Sequence, residues 1–543
     1  MSKKRYTITS ALPYANGPLH IGHISGAYLP ADIYVRYRKS KKDDVLFICG
    51  SDEHGAAITL RAKKEGLSPK DIVDTYHFLN EKSFVDFGIN FDVYHRTSDP
   101  IHHQTAQDFF KTLDQKGFFK KIISNQFYDE EHQQFLADRY IVGTCPKCGS
   151  EDQYGDSCEQ CGAVYTPDQL LNPKSVLTQT TPIYKDSEHY FFALSKCQDL
   201  LEDWVGRGAL QPEVEKKLSE WFDHGLKNWD ISRDAPYFGI EIPDAPGKYF
   251  YVWMDAPIGY IAATKHWANS RGLDEKKMWS HDSKTDIVHF IGKDILYFHG
   301  LFWPAILHHA GYKTPDHIYA HGFLTINGKK MSKSRGTYVT ARAYLDAFDP
   351  DYLRYYFAAK LSPTISDIDL NWTEFASRIN AELIGKIINI GSRCTCFIHR
   401  YFSGVLSDHL SDEALYQQII SNESTLLQLY DSRDYNQCLR LLLQMADQVN
   451  QYLDQVKPWA MVKDESVLDQ VGPICTLGVS VFYSLMGFLS PVLPGTFERV
   501  QSFLRVEHSN WSDFCRPLLS QQIDVFPRLL ERVKLSDASF IDE

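Results

Sequence analysis

The sequence lacks an excess of positive charge. Its 543 residues include 57 lysines and arginines against 69 aspartates and glutamates, which gives a formal net charge of −12. This balance excludes a protein that coats nucleic acid non-specifically, although it allows a local basic groove on an acidic body. With 43% apolar and 23% charged residues the composition is that of a globular protein, and the length predicts three or four structural units.

Secretory signals, internal repeats and low-complexity runs are also missing. The N-terminal stretch "MSKKRYTITSALPY" has basic residues but no apolar core of a signal peptide. Eleven cysteines are present, four of them between 145 and 161 and the other seven scattered. An odd, scattered set of this kind predicts reduced thiols and a cytoplasmic protein, with the four clustered residues set aside for metal.

One stretch, residues 470–497, contains no charged residue. Its length would suit a membrane span, but it contains three prolines and lacks a basic flank and an aromatic belt. We therefore expect a buried helix of a bundle, ended by Pro491 and Pro494, and no membrane association.

The N-terminal half alternates strand and helix patterns. Residues 5–12 alternate apolar and polar side chains, a helical period follows His23, and residues 44–55 form an apolar run that enters a turn. Strand, helix and strand in this order predict a parallel sheet with a crossover helix. Residues 286–307 repeat the strand, turn and helix, and the stretch between, 118–232, differs in character. The fold predicted is α/β, a Rossmann-type parallel sheet split by an insertion.

After about residue 370 the pattern is helical without strand-like alternation, which predicts an all-α bundle. The expected domains are a first Rossmann half, a connective insertion with a zinc knuckle, a second Rossmann half, a loop region, and an α-helical domain. Their expected bounds are 1–117, 118–232, 233–325, 326–380 and 381–543.

The zinc expectation comes from "CPKCGSEDQYGDSCEQCG", which places Cys145, Cys148, Cys158 and Cys161 in a C-x₂-C-x₉-C-x₂-C pattern. Each C-x₂-C pair directs two thiolates at one ion, and four thiolates complete a closed tetrahedral Zn²⁺ shell. A redox dithiol is the alternative, although paired C-x₂-C units favour metal. A closed shell predicts one structural zinc that orders the insertion and does not contact the substrate.

Two short strings carry the chemistry. In "ALPYANGPLHIGHISGAY", which starts at Ala11, Gly22 allows a nucleotide to approach the backbone at a helix start, and His20 and His23 offer donors to phosphate oxygens. In "NGKKMSKSRGT" (327–337), Lys330 and Lys333 could close over a triphosphate and neutralise a leaving pyrophosphate. Taken alone, the first could be two surface histidines near a turn and the second a solvated basic loop.

Both strings in this order, about 300 residues apart on either side of a split sheet, are typical of the class I aminoacyl-tRNA synthetases, which this chain resembles. The resemblance implies that His20 and His23 stabilise the transition state as a carboxylate attacks the α-phosphate of ATP. No protein nucleophile is needed for that step. It further implies ATP contacts from Gly22, Gly292, Asp294 and Lys333, and Mg²⁺ is expected with the triphosphate.

The strings "ALPYANGPLHIGH", "YVWMDAPIGY" (251–260), "IGKDILYFHG" (291–300) and "VKPWAM" (456–461) are similar to the methionyl-tRNA synthetase family over essentially the whole chain. That resemblance implies methionine as substrate, with Asp52 holding its α-ammonium. Aromatic faces and a weak hydrogen-bond donor suit a polarisable thioether. Such a pocket should discriminate poorly against homocysteine, because a missing methyl group changes the binding energy little. The residues expected around methionine are Leu12, Tyr14, Trp253, Ala256, Pro257, Tyr260, Ile295 and His299.

The same resemblance assigns Asn389, Arg393 and Trp459 to the anticodon of tRNA(Met), both initiator and elongator, with Trp459 stacking on the first anticodon base. Asn389 and Arg393 are four residues apart and share a helix face, and Trp459 follows Pro458 at a helix break. Without the resemblance, Trp459 would more often be a core residue, and Asn389 and Arg393 would be an ordinary solvated pair. First attachment at the terminal 2′-hydroxyl is implied. A monomer is expected because no further C-terminal module follows.

Three other functions remain open from sequence. A synthetase for another apolar amino acid would share both signature strings. A relative that binds tRNA without catalysis would not need both histidines and both lysines. A small nucleotidyltransferase could share the His-x-Gly-His motif, but would not need the helical domain.

Overall fold

The computed structural model of the protein describes residues 3–155, 158, 160–161, 163, 165–331, 338–507, 510–538 and 540. Its centre is a five-stranded sheet in which every neighbouring pair of strands is parallel. The strands in spatial order are His317–His321, Thr285–Gly292, Arg5–Ser10, Asp44–Ser51 and Val93–Arg96. The predicted α/β parallel sheet is confirmed, and strands from both sides of the insertion build it.

The central strand has the burial pattern that is typical of a parallel sheet. Every residue of Arg5–Ser10 except Arg5 is buried, as expected when helices cover both faces of a sheet. The helices of this part begin after Ser10 and recur between the strands. They are Ile21–His23, Leu29–Ser40, Ala56–Glu65, Pro69–Asp86, Pro100–Gln115, Val252–Asp255, Gly259–Asn269, Lys276–Trp279 and Trp303–Ala310.

The stretch between the two halves forms antiparallel sheets of its own. A four-stranded sheet contains Trp229–Asp230, Ile183–Phe192, Phe119–Asp129 and Gln134–Phe135, and a three-stranded sheet contains Gln153–Tyr154, Ile141–Thr144 and Leu171–Ser175. Helices Gln198–Val205 and Pro212–Asp223 follow. A hairpin of Ser232–Asp234 and Lys248–Phe250 leads back towards the parallel sheet.

After the last parallel strand a small sheet holds the start of the second signature string. It contains Lys329–Lys330, Leu324–Ile326 and Ile368–Leu370, and helices Ala341–Ala347 and Pro350–Ala358 lie between its strands in sequence. Beyond Leu370 the described residues form no further strand, which confirms the predicted helical region. Its helices are Trp372–Arg378, Asn389–Phe402, Glu413–Ile420, Glu423–Asp431, Tyr435–Val456, Pro458–Met461, Leu468–Leu489 and Pro494–Leu504.

The uncharged stretch lies in the core of this helical region. Within the described residues one helical segment, Glu465–Leu489, is long and apolar enough to cross a membrane, and its apolar window is entirely buried inside the protein. The expectation of a buried bundle helix is confirmed. Its end differs in detail, because the helix stops at Leu489 and Pro494 starts the next helix, where the missing N–H of proline costs nothing.

The described residues contain three π-helical segments, and each adjoins a predicted functional residue. Ile24–Tyr28 follows His23, Phe298–Phe302 contains His299, and Ile379–Ile388 precedes Asn389. Such segments are uncommon and often occur at functional sites. Short 3₁₀ turns also occur, at Asp138–Tyr140, Pro167–Gln169, Leu194–Cys197, Ala256–Ile258, Lys293–Ile295, Glu465–Val467, Trp511–Cys515 and Leu535–Asp537.

A buried arginine joins the parallel sheet part to the helical part. The Arg354 guanidinium is 1% exposed and donates to the Asp32 carboxylate at 2.6 Å. It also donates to the carbonyls of Phe87, Pro491 and Val492. Because a buried charge is tolerated only when it is paired and hydrogen-bonded, this contact ties helix Leu29–Ser40 to the end of the long apolar helix.

Candidate active site

The candidate site lies where the strand order reverses. The chain proceeds from strand Arg5–Ser10 to Asp44–Ser51 and Val93–Arg96 on one side, and later adds Thr285–Gly292 and His317–His321 on the other. Ligands of open parallel sheets bind outside the carboxyl ends of the strands at such a reversal. The first signature string follows the strand that ends at Ser10, Asp52 follows the strand that ends at Ser51, and Asp294 follows the strand that ends at Gly292.

The histidines of the first signature string form a reciprocal cap on a helix start. Their rings stack with centroids 3.6 Å apart. The backbone N–H of His20 donates to Nδ1 of His23 at 3.1 Å, and the backbone N–H of His23 donates to Nδ1 of His20 at 3.3 Å. An imidazole that accepts at Nδ1 carries its hydrogen on Nε2 when neutral. Burial lowers the pKa of His23 to about 4, so His23 is a neutral Nε2–H donor near pH 7.

The second signature string meets the first from both of its flanks. On one side, a Cβ added at Gly22 would overlap the terminal methyl of Met331. On the other side, the N–H of Ile21 donates to the carbonyl of Val339 at 3.1 Å, and the N–H of Ala341 donates to the carbonyl of Leu19 at 2.8 Å. The two strings, which are far apart in sequence, are therefore adjacent in the fold.

Of the predicted lysines, Lys330 is exposed on the strand Lys329–Lys330, and its charge acts on the carboxyl of Asp294. Lys333 lies outside the described residues. Asp294 itself is exposed in the turn after strand Thr285–Gly292, and Gly292 leaves room for the Asp294 carboxylate, which an added Cβ would contact.

Two adjoining cavities open at this place. A cavity of about 350 Å³ is lined by both signature histidines, and a second of about 310 Å³ lies next to it. Tyr14 and Asn16 line both cavities, so the two adjoin at the loop after the first strand. The first also includes Gly17, Pro18, Leu19, Arg61 and Tyr338; the second includes Ala56, Ala57, Ala137, Arg139, Tyr237, Tyr251, Val252 and Trp253.

The predicted ammonium-binding residue is a buried carboxylate with an unused oxygen. Asp52 is 2% exposed, and its Oδ1 has no hydrogen-bond partner among the described residues. It pairs with Tyr14 in an isolated parallel bridge. Burial and the nearby carboxylates of Asp255 and Glu53 raise the pKa of Asp52 well above its usual value, against a backbone hydrogen bond from His54 that lowers it. A cation bound there would relieve this cost.

The predicted thioether wall forms a buried aromatic cluster. The Tyr260 hydroxyl lies 2.9 Å from Nε2 of His299, and Nδ1 of His299 lies 3.2 Å from the carbonyl of Ile295. The Trp253 ring stacks on Phe298 with centroids 4.3 Å apart and is edge-on to His299. Ala256 and Pro257 form the buried turn between Trp253 and Tyr260, and Leu12 packs against Gly259. Of this predicted set, only Tyr14 and Trp253 line the 310 Å³ cavity, and the others do not.

A buried charge network beneath Asp52 was not predicted. Nδ1 of His54 lies 3.0 Å from the Asp255 carboxylate, and Nε2 of His102 lies 3.8 Å from its other oxygen. Burial alone would raise the pKa of Asp255, but His54 and His102 together hold it below the usual value. The ionised Asp255 in turn raises the pKa of Asp52. His54 stands out in the string "GSDEHG" as a polar residue after a strand. Its partner Asp255, however, lies 201 residues later in the sequence.

Arg61 also escaped sequence reasoning. It lines the 350 Å³ cavity with the signature histidines, and its guanidinium donates to the carbonyl of Asn16 at 2.7 Å and to the hydroxyl of Tyr76 at 2.6 Å. It therefore holds the loop that carries the first signature string. Nothing in the helical segment 56–65 singles out this arginine, because its role depends on a contact with residues 45 positions earlier.

The four clustered cysteines can hold a metal ion. Their sulfurs all lie within 4.8 Å of one another, with Cys145 and Cys161 3.9 Å apart and Cys148 and Cys158 3.6 Å apart. A tetrahedral Zn²⁺ with Zn–S bonds of about 2.3 Å needs sulfurs about 3.8 Å apart, so the donor set fits. The buried Cys145 and Cys158 pack with Ala56, the first residue of the helix after Asp52. The insertion therefore reaches the site, and its Ala137 and Arg139 form one wall of the cavity.

The three predicted anticodon residues lie close together on the helical region. Asn389 and Arg393 are on helix Asn389–Phe402, and the Arg393 guanidinium lies over the Trp459 ring at 4.3 Å from its centroid. Lys457 adopts a left-handed conformation that ends helix Tyr435–Val456, and Pro458 starts the next short helix. This break projects Trp459, which is half-buried. Arg393 also pairs with Asp454 at 3.4 Å.

Comparison with known proteins agrees with this geometry. Residues 6–395 match the family described as tRNA synthetases class I (M). The chain is 45% identical over 534 residues to the methionine–tRNA ligase of Francisella tularensis subsp. holarctica (strain OSU18), covering 98% of this chain and 79% of that protein.

Two solved structures share the fold. One, methionyl-tRNA synthetase of Mycobacterium tuberculosis bound by methionyl-adenylate, superposes with a TM-score of 0.81 at 22% identity, over 97% of this chain and 100% of that one. A second structure, the M. tuberculosis enzyme in complex with methionyl-adenylate, gives a TM-score of 0.80 at 24% identity, over 96% and 99% of the two chains.

A sheet reversal that holds both signature strings defines a class I aminoacyl-tRNA synthetase. Within that class, the chain belongs to the methionyl family, tRNA synthetases class I (M).

Proposed function

We propose that the protein activates methionine with ATP to methionyl-adenylate and transfers the methionyl group to the 3′ end of tRNA(Met), initiator and elongator alike. The observation that carries this proposal is the contact of the two signature strings, in which Met331 and the segment from Tyr338 to Ala341 enclose Leu19–Gly22. This contact brings the second string close to the 350 Å³ cavity that His20 and His23 line, which supports a reaction at a nucleotide phosphate.

In the first step the methionine carboxylate attacks the α-phosphate of ATP and pyrophosphate leaves. Negative charge grows on the phosphate oxygens in the transition state. His20 and His23 act as fixed Nε2–H donors to those oxygens, because their Nδ1 atoms are occupied by backbone N–H groups. Donors that are held in place before the reaction stabilise developing charge without reorganisation.

The leaving pyrophosphate needs positive charge on the opposite side. We propose that Lys330 and Lys333 supply this charge; the charge of Lys330 acts on the carboxyl of Asp294. The residues proposed to contact ATP are Gly22, Gly292, Asp294 and Lys333. Mg²⁺ enters with ATP and neutralises triphosphate charge. We propose the 2′-hydroxyl of the terminal nucleotide as the first acceptor.

Methionine is proposed to bind with its ammonium on Asp52 and its thioether against the Tyr260–His299 pair. An oxygen of a buried carboxylate that has no partner among the described residues is a costly feature, and an incoming ammonium would satisfy it. Leu12, Tyr14, Trp253, Ala256, Pro257 and Ile295 complete the proposed pocket. An apolar and aromatic wall distinguishes a thioether weakly from analogues of similar shape, so homocysteine is a proposed side substrate.

Zn²⁺ is proposed on Cys145, Cys148, Cys158 and Cys161, where it would fold the knuckle that carries one wall of the cavity. The anticodon is proposed to dock on Asn389, Arg393 and Trp459. The Arg393–Trp459 stack offers a flat surface for an unpaired base. We further propose a cytoplasmic monomer with the five domains at the bounds expected from sequence.

The test is ATP–pyrophosphate exchange with methionine, leucine or cysteine as the amino acid. Methionine-dependent exchange is expected, and His23→Ala should reduce it by about 10²- to 10³-fold, as for loss of one oxyanion donor. Lys330→Ala and Lys333→Ala should lower the rate of exchange more than methionine binding. Absence of methionine-dependent exchange, or exchange only with another amino acid, would refute the proposal. Retained tRNA binding without exchange would indicate an inactive relative instead.

A further inference from the structure

The hairpin that leads into the second signature string turns through two residues with left-handed backbone conformations. Strand Lys329–Lys330 pairs with the strand before it across a two-residue turn, Asn327 and Gly328, whose φ angles are 50° and 72°. Positive φ at both turn positions is the type I′ geometry of tight hairpins, which asparagine and glycine adopt most readily. Lys330 is the second residue after this turn, and Met331 follows it. The position of the turn therefore determines where both side chains stand.

One carboxylate oxygen of the neighbouring strand, Ile368–Leu370, holds this turn. In a tight turn the N–H groups of the two central residues make no bond within the turn itself. The N–H of Gly328 donates instead to Oδ1 of Asp369 at 2.7 Å, and the Thr325 hydroxyl donates to the same oxygen at 2.6 Å. Asp369 therefore contacts the hairpin both in the turn and in the strand before it.

Two further hydrogen bonds restrain the first residue of the turn. The N–H of Asn327 donates to the carbonyl of Leu370 at 3.0 Å, and its side-chain oxygen accepts from Nδ2 of Asn371 at 3.0 Å. The orientation of the Asn371 carboxamide is fixed, because its Oδ1 accepts the N–H of Glu374 as the cap of the following helix. Together with the bond from Asp369, these contacts fix both residues of the turn.

Asp369 is itself anchored to the core. Its carbonyl accepts from Nζ of Lys360 at 2.8 Å and from the hydroxyl of the buried Tyr356 at 3.3 Å. In the small sheet, Thr325 is the direct neighbour of Asp369 on one side and of Lys330 on the other. These three residues form one row across the sheet and share a face. The position of Lys330 relative to the core is thus set through Asp369.

We infer that Asp369 is a positioning residue for the activation step, which fixes the Asn327–Gly328 turn and thereby holds Lys330 and Met331 beside the first signature string. The inference rests on the proposed function, in which Lys330 neutralises the leaving pyrophosphate. The tolerance is small, because the terminal methyl of Met331 lies where a Cβ at Gly22 would be. If the turn were released, the hairpin could tilt and both side chains would move relative to Gly22.

The experiment measures methionine-dependent pyrophosphate exchange in Asp369→Ala, which removes both contacts to Oδ1. The kcat should fall by about 30- to 100-fold, the effect of moving reacting groups by about 1 Å. The KM for methionine should change by less than about twofold, because the proposed methionine pocket lies in other elements. Asp369→Asn keeps an oxygen that accepts from both groups, so its kcat should stay within about fivefold of the unaltered protein. No fall in Asp369→Ala, or an equal fall in both variants, would overturn the inference.

Asp464 provides a matched control in the helical region. Its Oδ1 also accepts from one backbone N–H and one hydroxyl, both of Ser466, at 3.0 and 2.7 Å. Asp464→Ala therefore removes the same two kinds of contact far from the hairpin in sequence, and it should leave exchange unchanged. An equal fall in Asp464→Ala and Asp369→Ala would contradict a specific role of Asp369.

A double variant tests whether the effect passes through the lysine that the turn positions. In the Lys330→Ala background, the further change Asp369→Ala should lower kcat by only about threefold, because residues that act as a unit give non-additive losses. The same factor in both backgrounds would show that Asp369→Ala disturbs the protein in general and would overturn the inference.

Amide hydrogen exchange tests the contact without reference to activity. The Gly328 amide lies in an exposed turn, yet its bond to Asp369 should slow its exchange with deuterium. Mass spectrometry of peptides that cover residues 324–331 should show this amide protected in the unaltered protein and in Asp464→Ala, and unprotected in Asp369→Ala. An unprotected Gly328 amide in the unaltered protein would overturn the inference. A protected amide in a protein without methionine-dependent pyrophosphate exchange would instead refute the proposed function, so the two failures are distinct.

Discussion

The terminal methyl of Met331 lies where a side chain at Gly22 would be, so one signature string closes directly over the other. This contact explains why the first string needs glycine at its third position. The atom that a larger residue would displace belongs to the segment that carries Lys330. The contact also links the position of that segment to the ring of His20, which is the next nearest group to Gly22.

Gly22→Ala is therefore expected to lower the rate of methionine-dependent pyrophosphate exchange by about 100-fold, the typical effect of displacing reacting groups by about 1 Å. Gly26→Ala is the matched control, because a Cβ there has no neighbour within 4 Å. Thermal unfolding should be similar for both variants. Equal activity of Gly22→Ala and Gly26→Ala would contradict the importance of this contact.

The KM for methionine should depend on pH through Asp52. Because its pKa is raised, a fraction of the carboxyl is protonated at low pH and cannot hold the ammonium. KM should therefore fall as pH rises through this pKa, until the ammonium of methionine itself deprotonates. Asp52→Asn should raise KM and abolish the fall, whereas a pH profile that survives the substitution would assign the titration to another group.

Acid should destabilise the protein in part through His299. Its pKa is about 4 when folded, below the usual value of about 6.5, so the unfolded chain binds a proton first. The contribution of His299 to the free energy of unfolding is complete above about pH 6.5. It is lost as the pH falls towards 4, and amounts to about 3 kcal/mol. His299→Gln should flatten the dependence of Tm on pH over this range. An unchanged pH dependence of Tm in His299→Gln would assign the loss of stability in acid to other groups.

Loss of the proposed zinc should reach the active site. Cys148→Ser should remove the metal measured by elemental analysis, about one ion per chain, because a closed site requires four ligands. Exchange activity should fall with it, since Ala137 and Arg139 of the insertion form a wall of the cavity. Cys396 is exposed outside the cluster, and Cys396→Ser should keep both metal and activity. Full activity in a zinc-free variant would show that the wall is folded without metal.

Anticodon recognition should be separable from activation. Trp459→Ala should lower kcat/KM for tRNA(Met) in aminoacylation by about tenfold or more, the value of one stacked base, and leave pyrophosphate exchange unchanged. Trp267, which also lies beneath an arginine, Arg271, at 4.6 Å, is the control on another surface. A comparable loss in Trp267→Ala would argue against a specific role for Trp459.

Most of the architecture followed from local patterns. Alternation and helical spacing predicted the parallel sheet, the insertion and the helical region, because these elements depend on short-range periodicity. The buried helix at 468–489 was expected from its lack of charge, but its end at Leu489 and the new helix at Pro494 required the backbone. The C-x₂-C pairs predicted their own cluster, because each pair needs only a tight turn to direct both thiolates at one point.

The residues that local patterns missed all act over long separations in sequence. His54 could be seen as a polar residue after a strand, yet its partner Asp255 comes from the other side of the insertion. Arg61 is an ordinary arginine on a helix until the loop at Asn16 folds over it. Such pairs carry no local spacing that could reveal them.

By itself the sequence determined which chemical groups are present and in what local geometry: two imidazoles at a helix start, paired thiolates, and an indole after a helix break. Only the tertiary structure decided which of these groups meet, because strand order and register bring distant segments together. It also decided their protonation, because burial and nearby charge shift a pKa through space and not along the chain. The neutral His23 and the raised pKa of Asp52 both arise in that way.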